Sequence, residues 1–465
     1  MGQLLAVDFG STFTKVRAID SSDGVLIASG QSSTTLNTGV MDGLYKALGT
    51  MGVPNDLGRF ESCLATSSAA GGLRIVAIGL VADLTAEAAR RAALGAGGKI
   101  VGTFAGELAR SDRSEILRLA PDLVVLAGGT DGGERKCIIA NALFLSKMNA
   151  SAALVVAGNY SARDEIEDIF NGTGQEYEIV ANVLPGVREL NIGPCSDAIR
   201  RAFITRIVDA KGINVAESEF GRVVMPTPRA VLDGCALLSH GGDDEVGVGD
   251  LVCFDVGGAT TDVYSIGTGS PSEGHTVQRG LPEPFAKRTV EGDLGVRVSA
   301  IDVVAAAERE QIAFHGDRHG GEISEYARYV ATNTNYLPSS QEEQALDRTL
   351  ARTAIRIATR RHAGRLEASF DPHGQSYVQY GKDLRPVRTV VGTGGILSSS
   401  DYESARQICE VARWDSNDPD FLLPKDPLVV VDHDYVLFAA GLIGDQYPDA
   451  AMRLMRQSFG AAESK

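Results

Sequence analysis

Apolar and polar positions alternate through the first third of a hundred residues. LLAVDFG, TKVRAID and VLIASGQSST read as three short strands, and the Asp23–Gly24 step places a tight turn between the last two. Three antiparallel strands are therefore predicted, followed by a short helix over DGLYKALGTMG. From about residue 61 the rhythm changes. The apolar runs RIVAIGL, KIVGTF, PDLVVLAGG and AALVVAGN are each followed by a helical stretch: LTAEAARRAALGAG, GELARSDRSEILRLA, ERKCIIANALFLSKM and ARDEIEDIF. EYEIVANVL closes the series. Strands covered on both faces lose polar alternation, so this pattern predicts a mostly parallel, doubly wound sheet. It is either a large insertion or an extended half of a larger fold.

A helix near SDAIRRAFITRIVDAKG leads to the polar MPTPRAVLDG and then to SHGGDDEVGVGD, where a domain boundary or exposed hairpin belongs. The hairpin pattern returns as LVCFDVGGATTDVYSIG. Residues 270–298 lack regular pattern and read as a long loop. Helices over VSAIDVVAAAEREQIA and QALDRTLARTAIRIATRRHAG, the strand RTVVGTGG and a final helix at VLFAAGLIG complete a mainly helical tail. The implied organisation is 1–60 as the first part of one lobe and 61–190 as the βα block. Residues 191–245 then connect to a second lobe over 246–465.

Two stretches share one chemistry. In VDFGSTFTK an apolar strand delivers Asp8 to a turn with Gly10, followed by Ser11, Thr12, Thr14 and Lys15. In DVGGATTD, Asp255 precedes Gly257, Gly258, Thr260, Thr261 and Asp262. Each could be an ordinary hairpin in which Asp forms the turn. The repetition instead implies a pair of loops in an internally repeated fold. Polyphosphate binding requires backbone N–H groups that approach oxygen closely, hydroxyl donors beside them, and a carboxylate to hold hydrated Mg²⁺. Asp8 and Asp255 are the metal-side candidates. Asp262 either positions a water or anchors its own loop, and Lys15 either reaches a phosphate or points elsewhere. VVGTGGILSSS adds Gly392, Gly394 and Gly395 between a strand and a helix start, as in a nucleotide loop.

Composition narrows the function classes. The 465 residues carry a formal net charge of -16, which disfavours a general nucleic-acid binder. No apolar run approaches the roughly 18 to 20 residues that span a bilayer, and the start has neither a signal-peptide leader nor a myristoylation hydroxyl. A cytoplasmic protein is expected. The six cysteines (Cys63, Cys137, Cys195, Cys235, Cys253, Cys409) form no CxxC pair and read as buried thiols. His315 and His319, in HGDRHGG, read as a surface turn rather than a metal site.

The ordered set DFGSTFTK, DVGGATTD, VGTGG and AAGLIG resembles the superfamily of actin, hexokinase and heat-shock-protein ATPases. The resemblance implies an α/β, actin-like (ribonuclease H-like) two-lobed fold with a large βα insertion, binding ATP and Mg²⁺ in the cleft. It makes the first two motifs phosphate loops, VGTGG an adenosine contact, and AAGLIG a connecting helix. VDFGSTFTK, PDLVVLAGGTDGG and RTVEGDLGVR together resemble the MutL or GlmL family, whose members accompany coenzyme B12-dependent glutamate mutase. That implies an ATP-dependent reactivating chaperone with the mutase as partner. A small-molecule kinase would need a carboxylate tied to a substrate pocket, and no motif supplies one. The dehydratase activators share the first loop, but their clustered cysteines are absent. A nucleotide-binding scaffold without enzymatic activity is the remaining alternative.

Three further features invite a role. Gly128, Gly129, Thr130, Asp131, Gly132 and Gly133 lie between a strand and a helix, where free amides bind an anion, a partner docks, or the chain merely crosses over. Arg348, Arg352, Arg356 and Arg360 form a stripe at steps of four that meets an acidic partner or nucleotide, or else simply faces solvent. EGDLGVR, with Glu291, Asp293 and Arg297, either lines the cleft or communicates with the partner.

Overall fold

The computed structural model describes residues 2–460 apart from 11, 36–38, 54–56, 69–72, 149–150, 211–222, 273, 275, 315–319, 372–373 and 417–418. The chain divides into two units. The first comprises Met1–Ser21, Leu26–Ala230 and Gly280–Pro284, and the second Ser22–Val25, Val231–Arg279 and Phe285–Lys465.

In the first unit β1 (Gln3–Phe9), β2 (Phe13–Asp20) and β3 (Leu26–Ser33) are antiparallel, and β4 (Ser62–Ser67) joins β1 in parallel. A separate parallel sheet follows, built from β5 (Arg74–Gly79), β6 (Lys99–Ala105), β7 (Leu123–Leu126), β8 (Ala153–Val156) and β9 (Tyr177–Ile179) in the order β6-β5-β7-β8-β9. β10 (Val223–Pro226) then returns to the first sheet beside β4, giving β10-β4-β1-β2-β3. The period of two in β5, β7 and β8 explains why they read as unbroken apolar runs. Ile75, Ala77, Val125 and Val155 face the core shared with Leu5, Val7 and Leu44, whereas Val76, Ile78, Val124 and Val156 face Ile138, Ile166 and Phe170. One face of the doubly wound sheet therefore belongs to the same core as β1, and the block is not packed as an island.

The second unit repeats the first sheet. β11 (Leu251–Val256), β12 (Thr261–Ile266), β14 (Ala286–Glu291), β17 (Thr389–Thr393) and β18 (Leu428–Val431) take the order β14-β12-β11-β17-β18, with β11, β12 and β14 antiparallel and β17 and β18 parallel to β11. Read from the other edge, this is the order and direction of β10-β4-β1-β2-β3. A small sheet of β13 (Thr276–Arg279), β15 (Arg365–Asp371) and β16 (Gly374–Tyr380) stands apart. The helices Ala300–Arg309, Gly320–Thr332 and Gln341–His362 share a core with Val252, Phe254 and Val263. Ser340 and Glu343 form a capping box at the start of the longest, whose last turn carries Arg360 and Arg361 where the helix dipole favours cations.

Three expectations change. Residues 270–298 hold β13 and β14, and β14 is masked in the sequence by Lys287, Arg288 and Glu291, which find partners inside the fold. The polar MPTPRAVLDG contains the end of β10 and the start of a helix over Thr227–His240. Part of the arginine stripe turns inward: Arg356 is buried, with its guanidinium on the carbonyls of Val411 and Arg413 and the carboxylate of Asp415, and Arg360, half-buried, lies over the Phe421 ring.

Candidate functional site

Both acidic loops have one geometry. The Gly10 amide donates to Phe13 O at 3.1 Å, and the Gly257 amide to Thr260 O at 2.9 Å, each Gly lying two residues after the Asp and each acceptor five after it. A Cβ on Gly10 would lie 2.5 Å from Phe13 O, so this turn requires glycine. Thr34 braces the first loop, donating its hydroxyl to Gly10 O at 2.8 Å and its amide to Thr12 O at 2.9 Å. Thr14 and Thr261, six residues after their respective Asp, are both fully buried; Thr261 donates to Leu294 O and Thr14 meets the Thr34 hydroxyl. Thr12 is exposed and Thr260 half-buried, so these are the hydroxyls that reach the surface of each loop. Ser11 lies outside the described residues.

The parallel neighbour of each Asp strand supplies a threonine. Thr66 lies across from Asp8 and Thr393 across from Asp255. Asp8 is buried, and its Oδ1 accepts from Thr227 at 2.7 Å and Thr66 at 3.2 Å. Burial raises its pKa above the usual carboxylate value, opposed by the charge of Lys15 and by those two hydroxyls. Lys15 is directly opposite Asp8 in the β1–β2 ladder, which puts both side chains on one face.

In the second unit the residue opposite Asp255 is acidic. Asp262 is buried, and its Oδ1 accepts from Arg288 Nη2 at 2.6 Å and Nε at 2.8 Å, while its Oδ2 accepts from Thr260. Gly394 sits against the same strand end with φ +111°, where a Cβ would lie 2.5 Å from Val256 O and 2.9 Å from Asp255 Oδ1. The VGTGG turn is thereby seated on the DVGG turn. Gly392 faces inward, with Cys409 Sγ 2.4 Å from where a Cβ would stand, and Gly395 opens the short helix Gly395–Ser399. Asp432, fully buried, ties this corner together. Its oxygens accept from the Thr393 hydroxyl at 3.0 Å, the Ser458 hydroxyl at 2.8 Å and the amides of Val436 and Leu437 that begin the Leu437–Ile443 helix.

Backbone orientation bears on phosphate binding. The carbonyls of Gly257, Gly258 and Ala259 accept from Val296 N, Arg297 N and Ser299 Oγ at 3.1, 2.8 and 2.8 Å. In a trans peptide each carbonyl opposes the following N–H, so the amides of Gly258, Ala259 and Thr260 are turned away from that support. A loop of exposed amides with one carboxylate at the strand end fits a polyphosphate. No group of three or more His, Cys, Asp or Glu side chains forms a metal site among the described residues. Mg²⁺ suits a site with one or two carboxylates because it keeps waters and takes phosphate oxygens.

The other candidates have partners within the chain. At the β7 turn, Gly132 N donates to Asn159 Oδ1, Gly133 N to Thr130 O and Asp131 N to Pro185 O. Glu134 takes the amides of Lys136 and Cys137 that start the next helix. Asn182 donates to Gly129 O and Asp131 Oδ1, and beside these residues lies a pocket of ≈230 Å³ rimmed by Asp131, Tyr160 and Arg163. In EGDLGVR, Arg361 joins Glu291 at 2.9 Å and Asp293 at 2.7 Å, and Arg297 forms a paired contact with Asp347 at 2.6 and 2.9 Å. His315 and His319 lie outside the described residues.

Thr34, Thr66, Thr227 and Asp432 were not singled out from sequence. The signal for the last three was positional: each follows or ends a strand parallel to an Asp strand, a relation visible only once the strands are paired.

Two copies of one five-stranded sheet, each presenting an aspartate and a glycine turn at the same strand end, define the actin-like (ribonuclease H-like) ATPase fold. The chain belongs to the MutL protein family, which it matches over residues 4–459. It is 40% identical to "Protein MutL" of Clostridium tetanomorphum over 98% of this chain and 99% of that one. Among solved structures it is similar to gluconate kinase from Lactobacillus acidophilus, with 12% identity, a TM-score of 0.33 and coverage of 100% of this chain and 90% of that one. It is also similar to the activator of 2-hydroxyisocaproyl-CoA dehydratase from Clostridium difficile with bound ADPNP, at 8% identity and a TM-score of 0.28, covering 100% and 98%. No helix among the described residues is long and apolar enough to cross a membrane.

Proposed function

We propose that this protein is a cytoplasmic, ATP-dependent reactivating chaperone for a coenzyme B12-dependent mutase, glutamate (methylaspartate) mutase. Family membership supports the partner. The observation that carries the nucleotide reading is the repeated pairing of an aspartate at a turn with a threonine on the parallel strand, Asp8 with Thr66 and Asp255 with Thr393.

The residues have distinct roles in this reading. Gly10, Ser11 and Thr12 in the first loop offer donors to phosphate oxygens, and so do Gly257, Gly258 and Thr260 in the second. Thr14 and Thr261 brace the loops from beneath. Asp8 in the first unit and Asp255 in the second are the carboxylates that would hold a hydrated Mg²⁺, which when bound would neutralise phosphate charge. Lys15 moderates the charge on Asp8, Asp262 is clamped by Arg288 and anchors its loop, and Gly392, Gly394 and Gly395 shape the adenosine contact. Gly129, Thr130, Asp131, Gly132 and Gly133 form a rigid turn, better suited to meeting a protein surface than to binding a free anion. The output is a shift in the partner's conformation rather than phosphoryl transfer to a metabolite.

The test is ATP hydrolysis measured with and without inactivated glutamate mutase, alongside exchange of damaged for intact cobalamin. ATP-dependent recovery of mutase activity is expected, with loss in an Asp8→Asn, Asp255→Asn double variant. Hydrolysis unaffected by the mutase, with no recovery and no exchange, would overturn the reading.

A further inference from the structure

The segment 291–299 has a second set of contacts that the phosphate-loop reading does not use. One side of it carries the second loop: Val296 N, Arg297 N and Ser299 Oγ hold the three carbonyls of 257–259. Gly295 is pressed against Ala259, where a Cβ would stand 2.3 Å from the Ala259 carbonyl carbon. The other side is fixed at both ends to one helix, Gln341–His362. Glu291 and Asp293 grip Arg361, and Arg297 grips Asp347. These two anchor points are about 21 Å apart along the helix at ~1.5 Å rise per residue. Asp347 also accepts from the Tyr326 hydroxyl at 3.2 Å, which brings in the Gly320–Thr332 helix. Arg297 Nε donates to Tyr336 O in the connection between those helices.

The geometry points to Arg297 as a positioning residue, and to 291–299 as a strap that couples the aim of the loop amides to the 320–362 helix pair. The inference rests on the nucleotide reading above. Its physical basis is that Arg297 contributes at two places at once. Its backbone N–H fixes the Gly258 carbonyl, and hence the direction of the Ala259 amide, while its guanidinium is locked by a planar two-bond contact that lysine cannot reproduce. Among the described residues Asp347 bonds Arg297 and Tyr326, so it acts on the loop through this arginine. Phosphate arriving at the amides therefore loads the strap, and the load is delivered to two helices rather than dissipated in a loose turn.

The experiment is a double-mutant cycle on the full chain, with binding of a fluorescent N-methylanthraniloyl ATP analogue as readout. Arg297→Lys and Asp347→Asn are each expected to weaken binding about tenfold, with the double variant no weaker than either single one, because the residues act as one unit. Asp347→Asn leaving affinity within about twofold of wild type would overturn the coupling. Hydrogen exchange on the unmutated protein supplies an arm that does not depend on the variants folding. Saturating analogue should protect 257–261 and, with it, 326–347. Protection confined to the loop overturns the strap alone, whereas no analogue binding to the unmutated protein overturns the nucleotide reading and the strap with it.

Discussion

The Thr227 hydroxyl donates to Asp8 Oδ1 at 2.7 Å across 219 positions of chain. It does so because the whole βα block is inserted between β4 and β10, so the chain must complete that block before it can close the polar pocket around the first aspartate. Removing the hydroxyl keeps the volume but leaves a buried carboxylate with one fewer donor. Thr227→Val is therefore expected to weaken Mg²⁺-dependent nucleotide binding roughly tenfold, a scale set by ~1.4 kcal/mol per decade. Calorimetric titration with and without Mg²⁺ checks it, and an unchanged metal dependence would count against the role given to Asp8.

Asp8 itself is held at a cost. Burial raises its folded pKa above the unfolded value. A raised pKa means that the native state holds the proton more tightly, so the stability is present below the unfolded pKa and is lost as pH rises through the folded one. At neutral pH the charge opposes folding. Asp8→Asn should leave the melting temperature unchanged or higher while hydrolysis falls by about 10²-fold or more. A melting temperature that drops with activity would identify Asp8 as a structural residue instead.

The first and second loops were legible because their chemistry is local: Asp, Gly and hydroxyls stand within eight positions of one another. Thr66, Thr227 and Asp432 were not, since each is an ordinary residue at a strand end until the parallel strands are set side by side. Arg356 was misleading for the converse reason. A step of four places the arginines on one helical face, but it does not say whether that face meets water or, as here, the carbonyls of Val411 and Arg413. The doubly wound block was clear from its buried runs. β14 was not, because its charges are neutralised by residues remote in sequence.

Asp262 and Arg288 form a buried ion pair, and the pair holds apart two negative charges that face each other across β11 and β12. Arg288→Met leaves the Asp262 charge uncompensated and should cost about 3–5 kcal/mol. Adding Asp262→Leu should recover much of that loss in urea unfolding. Equal stability of the single and double variants would show that the pair is not what holds the hairpin.

His362 is fully buried, with Nε2 on the Ser265 hydroxyl at 2.7 Å and Nδ1 on the Thr289 hydroxyl at 2.8 Å. Burial, then the nearby charges of Lys287 and Lys382, push its pKa well below 6.5. The unfolded chain takes up a proton that the native state refuses, so stability is present above the unfolded pKa and falls as pH drops through about 6.5. The slope contributed by this one group approaches ~1.4 kcal/mol per pH unit. Urea midpoints at pH 7 and pH 5.5 should differ accordingly, and His362→Asn should flatten the difference.

All six cysteines are buried and unpaired. Burial pushes Cys63 and Cys137 up to about 11 and Cys195 and Cys409 up to about 12, and raises Cys253 as well. The thiolate is the reacting species, so native protein at pH 8 should consume almost no Ellman's reagent within minutes, and all six thiols should react after denaturation in guanidinium. A thiol that reacts rapidly in the native state would reveal local opening around it. Nucleotide provides a further discrimination, because Cys409 packs under Gly392 of the VGTGG strand. Saturating ATP should slow any residual labelling of Cys409 more than that of Cys137, which lies beside Glu134 in the βα block.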